Sequence, residues 1–437
     1  MVRLRYVLIK QVDTDPSCTG YPQPPPTIGS PGLGNSRANR GPPGAATPLS
    51  NQLATYPGSP RSHMPTPPLG HRQTLMPFQH QIRNVGNTLA DLDLKELPPQ
   101  FKKEGEDWWV IYNPQIRRQL DVDLVHTLGH DSVVCCVRFS LDGRYVATGC
   151  NRSAQIYEVD TGQKVAHLEA ETTTHTGDLY IRSVCFSPDG KYLATGAEDA
   201  IIRVWDIASK EIKASFVGHE QDIYSLDFSR NGRIIASGSG DKSVRLWDLE
   251  TKQQTMEFRI EDGVTTVALS GDGKLVAAGS LDRSVRVWDT ETSAAIDRLE
   301  DINGHQDSVY SVAFAPSGRE LVSGSLDKTI KMWELTPPSQ ARGNMNGAPA
   351  APPKGTGKCI RTFEGHNDFV LSVALTPDAA WVLSGSKDRG VQFWDPIGGA
   401  PQLHLQGHKN SVISVAPSPK GGLFATGSGD TKARIWR

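Results

Sequence analysis

The segment 218–247, GHEQDIYSLDFSRNGRIIASGSGDKSVRLW, decides the fold of this 437-residue chain. Its short runs at 223–228, 234–238 and 244–247 are rich in β-forming residues, and turn signals such as Asn-Gly and Gly-Asp separate them. Runs punctuated in this way predict neighbouring antiparallel strands. Residues 213–217, just before the segment, have the character of a fourth strand. The pattern therefore predicts four-stranded antiparallel sheets.

The same pattern recurs in register along the chain. Six times an aspartate stands six residues before a tryptophan, in the pairs Asp199/Trp205, Asp241/Trp247, Asp282/Trp288, Asp327/Trp333, Asp388/Trp394 and Asp430/Trp436. A Ser or Thr lies sixteen positions before each aspartate, at Ser183, Ser225, Thr266, Ser311, Ser372 and Ser414. Four units also carry a Gly-His dipeptide, with the histidines at His219, His305, His366 and His408. Successive tryptophans are 42, 41, 45, 61 and 42 residues apart, which indicates a repeat architecture.

A seventh, degenerate unit precedes these six. It begins at Gly129-His130, and Cys136, Asn151 and Tyr157 occupy the positions of the other units' Ser, Asp and Trp. The chain stops one residue after Trp436, where the last unit still lacks its fourth strand. Residues 121–128 have the length and position to supply it, so we expect the first and last segments to share one sheet.

At these residues the chain resembles the WD-repeat superfamily. The resemblance implies an all-β fold, a seven-bladed β-propeller, in which closure of the ring protects the sheet edges. It also implies a hydrogen-bond relay in which the Trp indole donates to Ser or Thr, the hydroxyl to His, and the imidazole to Asp. The expected sets are His219/Ser225/Asp241/Trp247, His305/Ser311/Asp327/Trp333, His366/Ser372/Asp388/Trp394 and His408/Ser414/Asp430/Trp436.

A hydrolase triad is the alternative interpretation of His219, Ser225 and Asp241. A triad occurs once in an active site, whereas this set recurs in register and ends on a tryptophan. The sequence also lacks a Gly-x-Ser-x-Gly elbow in a strand–turn–helix context. The recurrence therefore favours a structural role and predicts no catalytic residues.

The remainder of the chain divides into two further regions. Residues 1–77 hold 15 of the 30 prolines, and no Asp or Glu occurs from Pro16 to Ala90. This composition predicts a disordered Pro/Gly-rich segment over 1–90. Residues 91–128 contain the apolar run 107–114 with two adjacent tryptophans, which favours an ordered docking segment that includes the closing strand. The propeller itself is expected over 129–437.

Charge and composition exclude several function classes. Residues 1–90 carry a net charge of +6, which leaves −8 for residues 91–437. An acidic propeller is a poor direct DNA binder, because affinity for a duplex depends on neutralised phosphates. No apolar run approaches the length of a membrane span. The six cysteines show no Cys-x-x-Cys spacing and indicate reduced core residues, so we expect neither a metal nor a cofactor.

Several strings resemble one family more closely. Residues 178–187, 260–268, 385–391, 407–415 and 133–137 are similar to the fungal Tup-type general transcriptional corepressors, counterparts of the animal Groucho proteins. The resemblance implies a nuclear, non-enzymatic scaffold that DNA-binding repressor proteins recruit and that acts on histone tails. In the family, a helical N-terminal segment forms a tetramer and binds a tetratricopeptide partner. Here residues 1–88 are Pro-rich and show no heptads, which puts that partnership in doubt for this chain.

The partner-binding surface is expected at one face of the ring, the narrower one, where the loop with the His and the turn with the Asp both open. Residues just before the repeated Ser and just before the repeated Asp should point into it. The predicted partner-binding residues are Tyr180, Arg182, Glu198, Tyr224, Leu281, Tyr310, Phe369, Lys387 and Asn410. Such Tyr- and Arg-containing clusters are typical of binding hot spots, although Tyr is also common in ordinary strands. A G-protein β-type signalling subunit and a ubiquitin-ligase substrate receptor remain the alternative functions.

Overall fold

The computed structural model describes residues 88–170, 177–300, 302–337 and 357–437. Thirty strands run through this part of the chain. In chain order they are β1 (Lys102–Glu104), β2 (Trp109–Tyr112), β3 (Leu124–Gly129), β4 (Cys136–Phe139), β5 (Tyr145–Gly149), β6 (Ser153–Glu158), β7 (Lys164–Glu169), β8 (Ile181–Phe186), β9 (Tyr192–Ala197), β10 (Ile201–Asp206), β11 (Glu211–Val217), β12 (Ile223–Phe228), β13 (Ile234–Ser239), β14 (Ser243–Asp248), β15 (Gln253–Arg259), β16 (Val264–Leu269), β17 (Leu275–Ser280), β18 (Val285–Asp289), β19 (Ala295–Leu299), β20 (Val309–Phe314), β21 (Glu320–Ser325), β22 (Ile330–Glu334), β23 (Lys358–Phe363), β24 (Val370–Leu375), β25 (Val382–Ser386), β26 (Gly390–Trp394), β27 (Pro401–Gln406), β28 (Val412–Pro417), β29 (Phe424–Ser428) and β30 (Lys432–Trp436). Short 3₁₀ turns occur at Leu89–Asp91 and Pro99–Phe101.

These strands form seven antiparallel sheets, which we number as blades 1 to 7 from β4 onwards. Blades 1 to 5 are the consecutive sets β4–β7, β8–β11, β12–β15, β16–β19 and β20–β23. Blade 6 contains β24–β27, and blade 7 contains β28–β30 with β3 as its fourth strand. The all-β, seven-bladed propeller predicted from the sequence is confirmed. The strand expected at 121–128 does close the ring, because β3 pairs with β30 from Leu124↔Trp436 to Gly129↔Lys432.

The hydrophobic core consists of layers between neighbouring blades. Each of seven buried clusters draws its side chains from two adjacent blades, and one of them joins blade 7 to blade 1. Close approach of the blades requires glycine in the second strand. A Cβ at Gly238 would lie 2.6 Å from Cγ1 of Val264 in the next blade, far inside the normal contact distance. The glycine that recurs at this position of the second strand therefore sets the spacing of the blades.

The segment before β3 adds two strands to blade 6. Strand β2 pairs antiparallel with β27, and β1 pairs with β2, which gives a six-stranded sheet. Leu89, Leu92 and Leu97 pack with Ile111 in a separate buried cluster. The segment after residue 91 thus docks on the propeller by adding strands to blade 6. Apart from residues 88–90, the Pro-rich segment predicted for 1–90 lies outside the described residues.

Candidate functional site

The candidate site depends on two features of each blade, the loop that follows the fourth strand and the turn between the second and third strands. Both lie at one end of the propeller. Because the strands of a blade alternate in direction, the connection from the fourth strand to the next blade and the turn between second and third strands lie at the same end. In blade 3 these are the loop at 218–222 and the turn at 240–242. We call this end the upper face and the opposite end the lower face.

The loop and the turn are joined by a buried relay in blades 3, 5, 6 and 7. In blade 3 the indole nitrogen of Trp247 donates to Oγ of Ser237 at 2.8 Å, and this hydroxyl lies 2.6 Å from Nε2 of His219. Nδ1 of His219 lies 2.8 Å from Oδ2 of Asp241. The sets in the other blades are His305/Ser323/Asp327/Trp333, His366/Ser384/Asp388/Trp394 and His408/Thr426/Asp430/Trp436.

The hydroxyl assigned to this relay from the sequence was wrong. Ser225, Ser311, Ser372 and Ser414 do not contact the histidines; the relay uses Ser237, Ser323, Ser384 and Thr426 in the second strand. The physical reason is strand order. The second strand pairs directly with the third strand, which carries the tryptophan, whereas Ser225 lies one strand further away.

The hydroxyl partner predicted for each relay tryptophan is corrected in the same way. The indole nitrogen of Trp333 donates to Oγ of Ser323 at 2.8 Å and not to Ser311, because Trp333 in β22 pairs with Leu321 in β21, the strand that also carries Ser323. Trp394 donates likewise to Ser384, and Trp436 to Thr426. The Trp333 side chain is 0% exposed and belongs to the core layer between blades 4 and 5. Trp333 is therefore a core residue that cannot contact a partner.

Ser225 and its counterparts instead join neighbouring blades. Oγ of Ser225 accepts a hydrogen bond from the backbone N–H of Val267 in blade 4 at 3.0 Å. Ser183, Thr266, Ser311, Ser372 and Ser414 bond in the same way to Leu226, Val312, Val373, Val415 and Val137. The last of these bonds connects blade 7 to blade 1. The hydroxyls therefore help to close the ring, with Cys136 at the seventh position donating to the carbonyl of Ile181 at 3.8 Å.

Blades 1, 2 and 4 replace the relay with other contacts. In blade 1, Nε2 of His130 lies 2.9 Å from Oγ1 of Thr148 and 3.3 Å from the hydroxyl of Tyr157. In blade 2 the Trp205 indole donates to Thr195, and Asp199 pairs with Arg203 at 2.6 Å. Blade 4 has Ile260 and Ala278 at the His and hydroxyl positions, and there Asp282 pairs with Arg286 at 2.8 Å.

The relay carboxylates are strongly acidic groups. Burial alone would raise the pKa of Asp241, but hydrogen bonds from His219 and Ser243 hold that pKa well below its usual range. The same balance lowers the pKa of Asp327 next to His305. Burial in turn lowers the pKa of His305 and outweighs the opposing effect of Asp327. A neutral imidazole therefore donates from Nδ1 to the ionised Asp327 and accepts the Ser323 hydroxyl proton at Nε2.

A cavity of about 580 Å³ opens in the middle of the upper face, and residues from all seven blades line it. Seven of the nine predicted partner-binding residues are among them, namely Arg182, Glu198, Tyr224, Leu281, Tyr310, Phe369 and Lys387. All seven are half-buried: they are neither packed between blades nor fully exposed. The cavity has the concave, mixed apolar and polar lining that is typical of ligand sites.

The lining is apolar and aromatic on one side of the cavity. Tyr224 and Tyr310 both line the cavity, and burial followed by the electrostatic influence of Tyr310 raises the pKa of Tyr224 above its ordinary value. The ammonium group of Lys387 lies 4.9 Å from the ring centre of Phe369 and 3.8 Å from Oδ2 of Asp368. These side chains offer aromatic surface next to a cation that also forms an ion pair with Asp368.

The other side of the cavity carries a charged cluster. Nε of Arg182 donates to Oε1 of Glu198 at 3.0 Å, and its Nη1 contacts Sγ of Cys135 at 3.7 Å. Burial raises the pKa of the Cys135 thiol to about 11, so the thiol is un-ionised at neutral pH. The Arg182 guanidinium also stacks 5.0 Å from the Tyr180 ring centre. Tyr180 is thus held at the rim by Arg182, although it does not line the cavity.

Asn410, the remaining predicted residue, also lies outside the cavity lining. Its Oδ1 accepts the backbone N–H of Ser411 at 2.7 Å, so this side chain caps its own loop. Conversely, Cys135 and Arg138 of blade 1 line the cavity but were not singled out from the sequence. Cys135 stands just before Cys136 in the degenerate unit, as Tyr224 stands just before Ser225. The rule that residues before the repeated Ser point into the site would have identified Cys135 if it had been applied to this unit.

No group of three or more His, Cys, Asp or Glu side chains in the described ranges is placed to hold a metal ion. Nor does the part of the chain that the structure covers contain a helix that is long and apolar enough to cross a membrane.

Comparison with known proteins agrees with this architecture. The family model described as "WD domain, G-beta repeat" matches seven times, at residues 122–158, 167–206, 210–248, 252–289, 297–334, 357–395 and 399–437. Each match begins in or next to the fourth strand of one blade and ends in or next to the third strand of the following blade.

Three fungal proteins are similar over most of the chain. The transcriptional repressor rco-1 of Neurospora crassa is 64% identical over 387 residues, which is 86% of this chain and 62% of that protein. The transcriptional repressor tup12 of Schizosaccharomyces pombe is 49% identical over 82% of this chain and 59% of its own length. The general transcriptional corepressor TUP1 of Saccharomyces cerevisiae is 45% identical over 76% and 54%. The chain thus spans between half and two thirds of each relative.

Proposed function

This chain belongs to the WD-repeat family, and we propose that within it the chain acts as a transcriptional corepressor scaffold. The close similarity to three fungal repressor and corepressor proteins confirms the resemblance to the Tup-type group. A scaffold of this kind would be recruited by DNA-bound repressor proteins and would work in the nucleus. The observation that carries the proposal is the convergence of seven predicted partner-binding side chains on one cavity of the upper face.

The cavity suits a short segment of a partner protein. Tyr224, Tyr310 and Phe369 supply large aromatic surfaces that lose little conformational entropy on binding. Lys387 and the Arg182–Glu198 pair supply charges that can fix the orientation of the segment. Binding hot spots usually consist of aromatic and arginine side chains in a partly desolvated pocket.

We further propose that the scaffold has no catalytic activity. The hydroxyl of Ser237, which lies beside His219, already accepts the indole N–H of Trp247. The His219 and Asp241 side chains are 0% and 5% exposed, so a substrate has no access to them. The relay therefore holds the loop and the turn of the upper face in place.

A role at chromatin is part of the same proposal. The net charge of −8 over residues 91–437 favours basic partners, and histone tails are basic. The acidic residues Asp222 and Asp262 lie at the mouth of the cavity. Direct binding to DNA is not part of the proposal, because the same charge repels phosphates.

Affinity purification from nuclear extract tests the function. The tagged full chain should retain DNA-binding repressors and histones, and the Tyr224→Ala/Tyr310→Ala double variant should lose the repressors. An exposed lower-face variant in blade 4, Glu291→Ala, is the matched control and should behave as the wild type. Recovery of ubiquitin-ligase subunits or G-protein γ chains in place of repressors would support the alternative classes and refute the proposal.

A further inference from the structure

A second concave site lies at the lower face, at the seam between blades 2 and 3. This groove of about 410 Å³ is formed by the start of β9, by β11, and by the two turns at the lower end of blade 3. Its lining includes Tyr192, Ala214 and Leu249, together with the cations Lys213, Arg233 and Lys252. It is separate from the upper-face cavity and shares no residue with it.

The floor of the groove is apolar and firmly supported. Tyr192 and Leu249 are half-buried and pack against the hydrophobic cluster that blades 2 and 3 share. Ala214 belongs to that cluster and is 6% exposed. An apolar side chain of a ligand would therefore extend an existing core layer, and such burial of apolar surface is favourable.

The rim carries cations, and the acids beside it are already engaged. Asp248 accepts a hydrogen bond from Nε of Arg233 at 2.7 Å, and its other oxygen accepts the backbone amides of Glu250 and Thr251. Glu250 itself lines the groove, and its exposed carboxylate lies 3.7 Å from Nη1 of Arg233. Within the described residues, the ammonium groups of Lys213 and Lys252 form no ion pair and no hydrogen bond.

We propose that this groove binds an acidic segment of a partner protein. Carboxylates of the segment would pair with Lys213 and Lys252, and an apolar side chain between them would rest on Tyr192, Ala214 and Leu249. Charge complementarity selects this partner, because two cations that pair with no acid in the described ranges flank an apolar floor. The site lies opposite the proposed repressor-binding cavity, so a single chain can hold a partner at each face.

A defined peptide tests the site with the full chain. The probe is a short fluorescein-labelled peptide with one Leu flanked on each side by two Asp, and its binding is followed by fluorescence anisotropy. The Lys213→Glu/Lys252→Glu double variant should weaken binding by at least about tenfold, because two attractions become repulsions. Lys210→Glu is the matched control. Lys210 occupies the equivalent turn of blade 2, with the same left-handed backbone as Lys252, but does not line the groove.

Variants of the peptide test the cationic rim and the apolar floor of the groove separately. Replacing the Asp residues with Asn should abolish binding to the wild-type chain, and replacing the Leu with Gln should weaken it. Equal affinity of the double variant and the wild type would overturn the proposal. A lysine-dependent affinity for a single-stranded oligonucleotide or inorganic phosphate, without competition by the peptide, would also overturn it. All substituted lysines are exposed, so unchanged thermal melting is expected and confirms that each variant is folded.

Discussion

The carboxylate of Asp241 accepts hydrogen bonds from several donors at the upper end of blade 3, so removal of this carboxylate should reduce the stability of the fold. Its Oδ2 accepts from His219 and from the backbone N–H of Glu220, and its Oδ1 accepts from Ser243. Asp241→Ala leaves these donors without an acceptor, which should lower the free energy of unfolding by about 1–3 kcal/mol. Asp327→Ala and Asp388→Ala should behave alike in chemical denaturation, with the exposed Glu220→Ala as control. Three alanine variants as stable as the wild type would disprove the role of the relay.

Buried histidines should make the propeller sensitive to mild acid. Burial lowers the pKa of both His130 and His404 to about 4, whereas histidine in an unfolded chain titrates near 6.5. Below that pH the unfolded chain binds protons that the folded chain does not. Stability is therefore complete above pH ~6.5 and is lost as the pH falls towards ~4. The lowered pKa of Asp241 acts in the same direction at still lower pH.

Denaturation curves measured at several pH values check this expectation. Each such histidine contributes at most about 1.4 kcal/mol per pH unit. His404→Gln should make the dependence shallower, because it removes one of the buried histidines with a lowered pKa. An unfolding free energy that stays constant from about pH 7 to pH 5 would contradict the assignment.

The position of the relay hydroxyl shows where inference from spacing fails. Two hydroxyls recur at fixed distances before the repeated Asp in five of the six units that carry it, in blade 3 at Ser225 and at Ser237, and a register alone cannot decide which one meets the histidine. The loss of the histidine does not identify it either. The fourth unit has Ile260 at the histidine position and lacks the hydroxyl at Ala278, but the second unit, with Gly177 at the histidine position, retains Thr195. The pairing of the second strand with the strand that carries the tryptophan decides which hydroxyl lies in the relay.

At the scale of elements, strand β3 is required for closure of the ring. Its pairing with β30 covers the edge of blade 7, and an uncovered edge promotes aggregation. Deleting residues 1–87 should leave a monomer with normal melting, whereas deleting residues 1–129 should give aggregation on size-exclusion chromatography. A soluble, normally melting product of the longer deletion would show that β3 is dispensable.

The segment before β3 is also attached to blade 7 by an ion pair with a fully buried arginine. The Arg434 side chain is fully buried and forms a two-pronged pair with Asp107. Asp107→Ala leaves this guanidinium without its partner, a change that typically destabilises a protein by about 3–5 kcal/mol. Because Asp107 is partly exposed, we expect the lower end of that range or less. Glu106→Ala is the matched control, and equal thermal melting of the two variants would contradict the prediction.

The sequence could predict those parts of the fold that depend on interactions within one repeat unit. Turn dipeptides and β runs lie within one unit, so the blades and the closing strand follow from the repeat itself. The pairing of β2 with β27 could not be predicted in the same way. It joins Trp109 to Gln406 across nearly 300 positions, and nothing in the run 107–114 specifies which blade edge receives it.

At the scale of the whole molecule, closure brings side chains from all seven repeats to one cavity. Arg182 and Lys387 are far apart in sequence, yet both line it because every inner strand faces the centre of the ring. The positional rule applied to each repeat therefore found seven of the lining residues. Asn410 failed to reach the cavity because it is placed by a loop, and loop conformation depends on hydrogen bonds that the repeat does not specify.

Tyr224 and Tyr310 provide the sharpest test of the proposed upper-face site. Tyr224→Ala and Tyr310→Ala should each weaken binding of a repressor segment by at least about 2 kcal/mol, roughly thirtyfold, as expected for anchor residues. Both side chains are half-buried and face the cavity, so the melting temperature should change little. Lys387→Glu should weaken the binding of acidic segments only. Shortening the segment 338–356 is the control, because β22 ends and β23 begins at the lower face. Titration calorimetry in which this deletion impairs binding, while both tyrosine variants bind normally, would place the repressor site on the lower face instead.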